Sequence, residues 1–263
     1  KSDWEYLDAA VMPYHWDDRA KLYQDYLYLK DVYELLLIEL AAKLNKLHGV
    51  NHSLRYWRIL VGPFLGYFIQ MLFDRWFMIK EALKITYLDD IDIIEHSEGD
   101  LVANDMHEFT SLLRAASWNE MLYGQILQAM DVQLGYIAAT SEVGHCADGK
   151  KRRSIKNKLR ENINRFFDST FGIVSNSNDY LFFDSYMNSK VDLLVQLRLG
   201  QFPVRWSGKQ TPIVAFDASK RQWNLSPGDS LDFTNLVRVL ISKHLPRVYL
   251  EGYEALISVK NRL

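Results

Sequence analysis

Residues 51–84 read NHSLRYWRILVGPFLGYFIQMLFDRWFMIKEALK, and the fold turns on how this stretch is read. Ser53 is a good helix N-cap. The run from Ile59 to Phe73 carries no charge, and Arg55, Arg58, Asp74 and Arg75 flank it. That run is about 15 residues long, short of the roughly 20 that span a bilayer. Gly62-Pro63 sits inside it, and a proline there has no backbone donor and clashes one turn back. The stretch predicts a buried, kinked helix at the centre of a soluble domain, with a re-entrant membrane segment as the competing reading.

Upstream, Leu22, Tyr26, Leu29, Tyr33, Leu36, Leu40, Leu44 and Leu47 recur at three- and four-residue spacing. They predict a long helix that starts at an Asp17 or Asp18 cap and closes at His48-Gly49. With so short a link to residue 51, residues 17–84 should form an antiparallel helical hairpin. Downstream, Ile85 to Leu88 is β-prone and is ended by Asp89, Asp90 and Asp92. Helices are expected from Met106 to about Ala116, Trp118 to Met130, Ser154 to Phe167 and Ser189 to Leu199. Phe171–Val174 and Tyr180–Phe183 read as strands. A helix is expected from Asp229 or Ser230 to a break at Pro246, and a last one beyond it. Short strands alternating with longer helices give an α/β class with a small or incomplete parallel sheet.

Over 263 residues the net charge is −2, without the basic surplus of a nucleic-acid binder. The single cysteine, Cys146, excludes an intrachain disulfide framework. No GxGxxG, GxxxxGK[ST], GxSxG, HExxH or CxxC pattern occurs, so no self-sufficient catalytic motif is present. His52, Arg55 and Arg58 stand at the start of the central helix, where a helix N-terminus attracts anions. They are the candidate substrate-binding residues, for a phosphate or an anionic sugar. Arginines bonding structural carboxylates are the bland alternative. The Asp89–Asp92 cluster resembles a DxD metal pattern but reads better as a solvated strand end. No metal and no cofactor are expected. Lys150–Arg153 reads as a solvated loop, and His145-Cys146 has no partner pattern.

Residues 12–82 carry a more specific signal in HWDDR (His15–Arg19), HGV (His48–Val50), HSLRYWR (His52–Arg58), Gly62-Pro63 and DRW (Asp74–Trp76), with LLVQLRLGQFP at residues 193–203. In this order and spacing the chain resembles a family of bacterial transferases of surface-polysaccharide (O-antigen) biosynthesis. Members of that family look like two-domain GT-B-type glycosyltransferases, with two Rossmann-like halves facing across a cleft. The resemblance implies that this chain is the helix-rich, Rossmann-like N-terminal half, the acceptor side. A lysine at position 1 and a closing EALISVKNRL that reads as helix body fit a piece of a longer protein. The implied partners are a nucleotide-sugar donor, bound mainly by the other half, and a glycan or lipid-linked acceptor. The implied location is the cytoplasm, with peripheral association at the inner face of the inner membrane as an option. The resemblance designates no catalytic residue. A non-catalytic helical scaffold or interaction module of a polysaccharide-assembly system is the alternative.

Overall fold

The computed structural model describes residues 11–85, 91–96, 99, 101–132, 135–138, 187–200, 211–225 and 232–260. The expected strands at 171–174 and 180–183, the basic loop and the helix at 154–167 lie outside these residues. So do His145-Cys146, Asp89 and Asp90.

The chain divides into two compact units. In the smaller, residues 144–211, one helix is described, Ser189–Arg198. It is capped by Asn188, whose side chain accepts from the Lys190 amide (3.1 Å), and is followed by Gly200 in the left-handed region (φ 73°).

The larger unit, residues 1–143 and 212–263, is built on the hairpin. Helix α1 (Arg19–His48) starts at Asp18, whose carboxylate accepts from the Ala20 and Lys21 amides, and ends at Gly49 with φ 63°. Its buried face is Leu29, Val32, Leu36, Leu37, Leu40, Ala41 and Leu44. Tyr26 and Leu47, expected on that face, are exposed. Helix α2 (Leu54–Leu60) is capped by Ser53, which accepts from the Tyr56 amide (3.3 Å).

The single kinked helix expected over 51–84 is instead two helices. Pro63 has no N–H for the Ile59 carbonyl, and the chain breaks at Val61 (φ −108°, ψ −12°). Helix α3 (Gly62–Ile85) then restarts with Pro63 in its first turn, where a missing donor is tolerated. The antiparallel course expected of the hairpin is present: Lys21 lies over Phe77, Tyr28 meets Phe73, Glu34 binds Arg58 and Asn45 binds Trp57. Gly62 permits the close approach, since a Cβ there would lie 2.6 Å from the Tyr33 hydroxyl. Phe64, Leu65, Phe68 and Leu72 are fully buried, each contributing about 1.5–3 kcal/mol by removal from water. Among the described residues no helix is long and apolar enough to cross a membrane.

Of the strand expected at 85–88, residues 86–88 lie outside the described residues, and Ile85 ends helix α3. Strand β1 is Asp92–Glu95, so Asp92 opens a strand. Helix α4 (Met106–Leu112), capped by Asp105, and helix α5 (Ala116–Ala129) lead to strand β2 (Gly135–Ala138). Two helices were expected here; the first ends earlier than expected, at Leu112, and the second starts earlier, at Ala116. The strands pair in parallel, Asp92 opposite Gly135 through Glu95 opposite Ala138, so α4 and α5 form the crossover that parallel pairing requires. No strand was expected at residues 135–138. Gly124 lets α5 lie against β1, since a Cβ there would meet Ile93 Cδ1 at 2.8 Å.

Helix α6 is the Ser189–Arg198 helix of the smaller unit. Helix α7 (Phe233–His244) starts at Asp232, not at Asp229 or Ser230, because the Asp232 carboxylate accepts from the Asn235 amide (2.9 Å). Its buried Phe233, Leu236, Val237, Leu240 and Ile241 pack on the hairpin core. Arg238 grips Glu39 of α1 with two bonds, 2.9 and 2.6 Å. After Pro246, a short turn (Arg247–Tyr249) docks its amides on the Ala103 and Asn104 carbonyls, and helix α8 (Tyr253–Lys260) follows. Asn104 also holds residues 212–214, accepting from the Val214 amide and donating to the Pro212 carbonyl.

Candidate functional site

A cavity of about 610 Å³ opens at the carboxyl end of β1. In parallel sheets this end is where ligands bind, because the loops leaving the strands splay apart there. His96 follows β1 directly, Gln125 and Gln128 come from α5, Trp223 and Asn224 from the segment 211–225, and Lys243 from the end of α7. Four stretches of sequence thus supply the walls.

His96 is the anomaly. Both its ring nitrogens are shielded from solvent, and among the described residues neither has a hydrogen-bond partner. Buried polar atoms are nearly always paired, so an imidazole held this way asks for a function. Its neighbours in the wall are satisfied. Arg221 donates twice to Glu251 (2.6 and 2.8 Å) and once to the Ser242 carbonyl (2.8 Å), which neutralises its charge and ties residues 218–221 to the end of α7. Gln125 Oε1 accepts from His244 Nε2 (2.6 Å). Burial, followed by the charges of Lys243 and Arg221, pushes the His244 imidazole down to about 3, so it is neutral at working pH.

None of the three sequence candidates lines this cavity, and they are not brought together. His52 stacks on Tyr56 (4.0 Å) and exchanges two backbone bonds with the Asn45 side chain, 3.0 Å each. Arg55 is exposed to solvent. Arg58 turns to α1 and clamps Glu34 with two bonds (2.7 and 2.6 Å), which raises the arginine and lowers the glutamate from their ordinary values. Three-residue spacing placed both arginines on one helix face, but the antiparallel partner captured one of them. Arg58 also borders a second recess, of about 780 Å³, between α1 and α3, lined mainly by Trp16, Leu22, Tyr26, Tyr33 and Tyr67.

The family-like motifs meet in two knots. His15 donates to Asp74 Oδ1 (3.1 Å), Asp74 pairs with Arg75, and Arg75 reaches Asn119 (3.2 Å). Burial and the Asp74 carboxylate raise the Tyr14 hydroxyl to about 12. In the other knot His48 stacks on Tyr253 (4.1 Å), burial lowers its ordinary value, and Trp57 donates to Asn45 (2.9 Å). Both knots fasten chain segments rather than line the cavity. Among the described residues no group of three or more His, Cys, Asp or Glu side chains is placed to hold a metal.

A cavity of mixed polar and apolar lining on a parallel βαβ unit, with an imidazole unpartnered among the described residues in its wall, suits a group-transfer site. The whole chain, residues 1–263, matches the model of the LIC12162 family transferase, and the chain belongs to that family of transferases. No curated protein matches it, and no solved structure does.

Proposed function

We propose that this transferase moves a sugar from a nucleotide donor to a surface-glycan acceptor, and that this chain is the acceptor-side, Rossmann-like half of a GT-B-type enzyme. The family membership and the parallel crossover at the cavity support the reading, and His96 carries it. An acceptor hydroxyl held against His96 would pass its proton to the imidazole as its oxygen bonds to the anomeric carbon. The bond from that carbon to the nucleoside diphosphate breaks, and the diphosphate leaves with the electron pair. Asn224, Gln125 and Gln128 can orient sugar hydroxyls, and Trp223 offers a ring face. In this reading His52, Arg55 and Arg58 stand apart from the chemistry, Arg55 being the one whose charge remains for an anionic acceptor.

Ligand-observed NMR on this chain with methyl glycosides, short glycans and nucleotide sugars tests the reading. Saturable glycan binding abolished by His96→Ala is the expected result. Glycan signals that are absent, or indifferent to the substitution, refute it.

A second reading, an interaction module, has its own observation. Tyr23, Tyr26 and Tyr67 are 62%, 57% and 53% exposed beside the α1–α3 recess. Co-sedimentation with anionic lipid vesicles that is lost in Tyr26→Ser/Tyr67→Ser would favour membrane association through that surface.

A further inference from the structure

Gln125 is an uncharged polar wall residue whose orientation is fixed from behind. His244, at the end of α7, is 2% exposed and lies among the rings of Phe68 (centroids 5.1 Å apart) and Trp118 (5.6 Å). In that setting it stays neutral, with one N–H and one lone pair. Its Nε2 is 2.6 Å from Gln125 Oε1, an atom that can only accept, so Nε2 carries the hydrogen. The bare Nδ1 is buried without a partner. The reverse arrangement, with the carboxamide flipped and the proton on Nδ1, would bury an unpaired N–H donor, which natural structures avoid more strictly than an unpaired lone pair. The carboxamide is therefore held with its oxygen turned to His244. Its NH₂ group, for which no hydrogen bond is found among the described residues, is left on the half-buried, cavity-lining side chain.

We infer that Gln125 is a specificity-determining residue of the cavity, its oxygen held toward His244 so that the group it offers the ligand is its NH₂, a donor. The ligand it selects carries a lone pair at that point, such as a sugar hydroxyl, ring oxygen or N-acetyl carbonyl. A ligand that puts an ammonium group there meets donor with donor and is rejected. The assignment rests on the reading of this cavity as the substrate site. It designates neutral or N-acetylated sugars over free amino sugars. Sites built to hydrogen-bond one group discriminate strongly against its absence, and for a half-buried contact about tenfold is expected.

Two measurements on the intact chain decide it. In the first, the chain carries ¹⁵N-labelled histidine, and the His244 signals are assigned as those lost in His244→Asn. They should show a neutral ring protonated at Nε2, with a shift that moves in Gln125→Leu. A ring protonated at Nδ1, an imidazolium, or signals indifferent to Gln125→Leu overturn the proposal. In the second, methyl glucoside, methyl N-acetylglucosaminide and methyl glucosaminide are titrated separately. The first two should bind about tenfold tighter than the third, and Gln125→Glu, whose carboxylate can still accept from His244, should narrow or reverse the difference. Equal affinities overturn the proposal. If no glycoside binds while the ¹⁵N result is as expected, the substrate-site reading fails and the selectivity falls with it. If glycosides bind but the ¹⁵N result is not as expected, only the role of His244 and Gln125 falls.

Discussion

The hairpin and the cavity are assembled by opposite rules. Helices α1, α2 and α3 come from one continuous stretch, with caps at Asp18 and Ser53, a left-handed stop at Gly49 and a periodic apolar face. The cavity draws its walls from β1, α5, residues 216–224 and the end of α7, spread along the chain from Ile93 to Lys243, and it leaves His96 unpaired among the described residues. The hairpin's framework is set mostly by neighbours in sequence, whereas the cavity's is set by contacts between distant segments.

Substitutions can break this contrast, starting with the costliest. Arg221 and Glu251 have side chains only 5% and 4% exposed, and the pair is the strut between the cavity wall and the turn before α8. Arg221→Ala strands a buried carboxylate, and a loss of about 3–5 kcal/mol is expected in denaturant unfolding. Replacing both partners with apolar residues of similar volume should recover most of it. If Arg221→Ala costs less than about 1 kcal/mol, the cavity wall is not held by this strut. Phe68→Ala in the hairpin should cost a comparable 3–5 kcal/mol, because Phe68 is fully buried between Phe64 and the His244 ring. A much smaller loss would mean that the hairpin collapses to fill the space.

A third effect is set by pH and comes from the cavity side. In the unfolded chain His244 binds a proton near its ordinary value of 6.5, whereas in the fold it does so only near 3. Between those values the unfolded state holds more protons, so stability is full above about 6.5 and falls as the solution is acidified. At pH 5 the loss from this group is about 2 kcal/mol. His48, also lowered by burial, adds in the same direction. The pH 7 to pH 5 drop in unfolding free energy should shrink in His244→Asn. An unchanged drop would place the proton uptake elsewhere.

The same contrast explains what the sequence disclosed. The helical course of the hairpin was readable, because caps, spacing and Gly62-Pro63 act within a few residues. That proline splits the second arm into two helices rather than kinking one was not read. Strand β1, Asp92–Glu95, went unread because Asp92 looked like the end of a strand, whereas helix α3, carried by its contacts with α1, α5 and α7, includes Ile85. Arg58 looked like a ligand-binding residue because Glu34, 24 residues away, does not signal itself as its partner. His96 had a weak signal, a histidine one residue beyond the Ile91-Asp92-Ile93-Ile94 run, after Glu95. Gln125 and His244 had none, since their meaning lies in a contact across 119 residues.

The smallest expected effect on stability is also the most informative about function. His96→Ala removes an imidazole that makes no hydrogen bond among the described residues, so the fold loses packing but no polar partner there, and no buried group among them is left newly unpaired. Deleting an unsatisfied polar side chain beside a cavity can be close to neutral, and a change within about 0.5 kcal/mol is expected. If His96 takes the acceptor proton, the same variant in a transferring enzyme should lose about 10²–10⁴-fold in turnover, the usual worth of a positioned general base. A structural histidine would behave in the reverse way, costing stability while leaving turnover to fall only with the folded fraction. Unfolding and turnover measured on one preparation therefore separate the two. Turnover within a factor of about two of wild type would remove His96 from the chemistry, because no general-base role is that small.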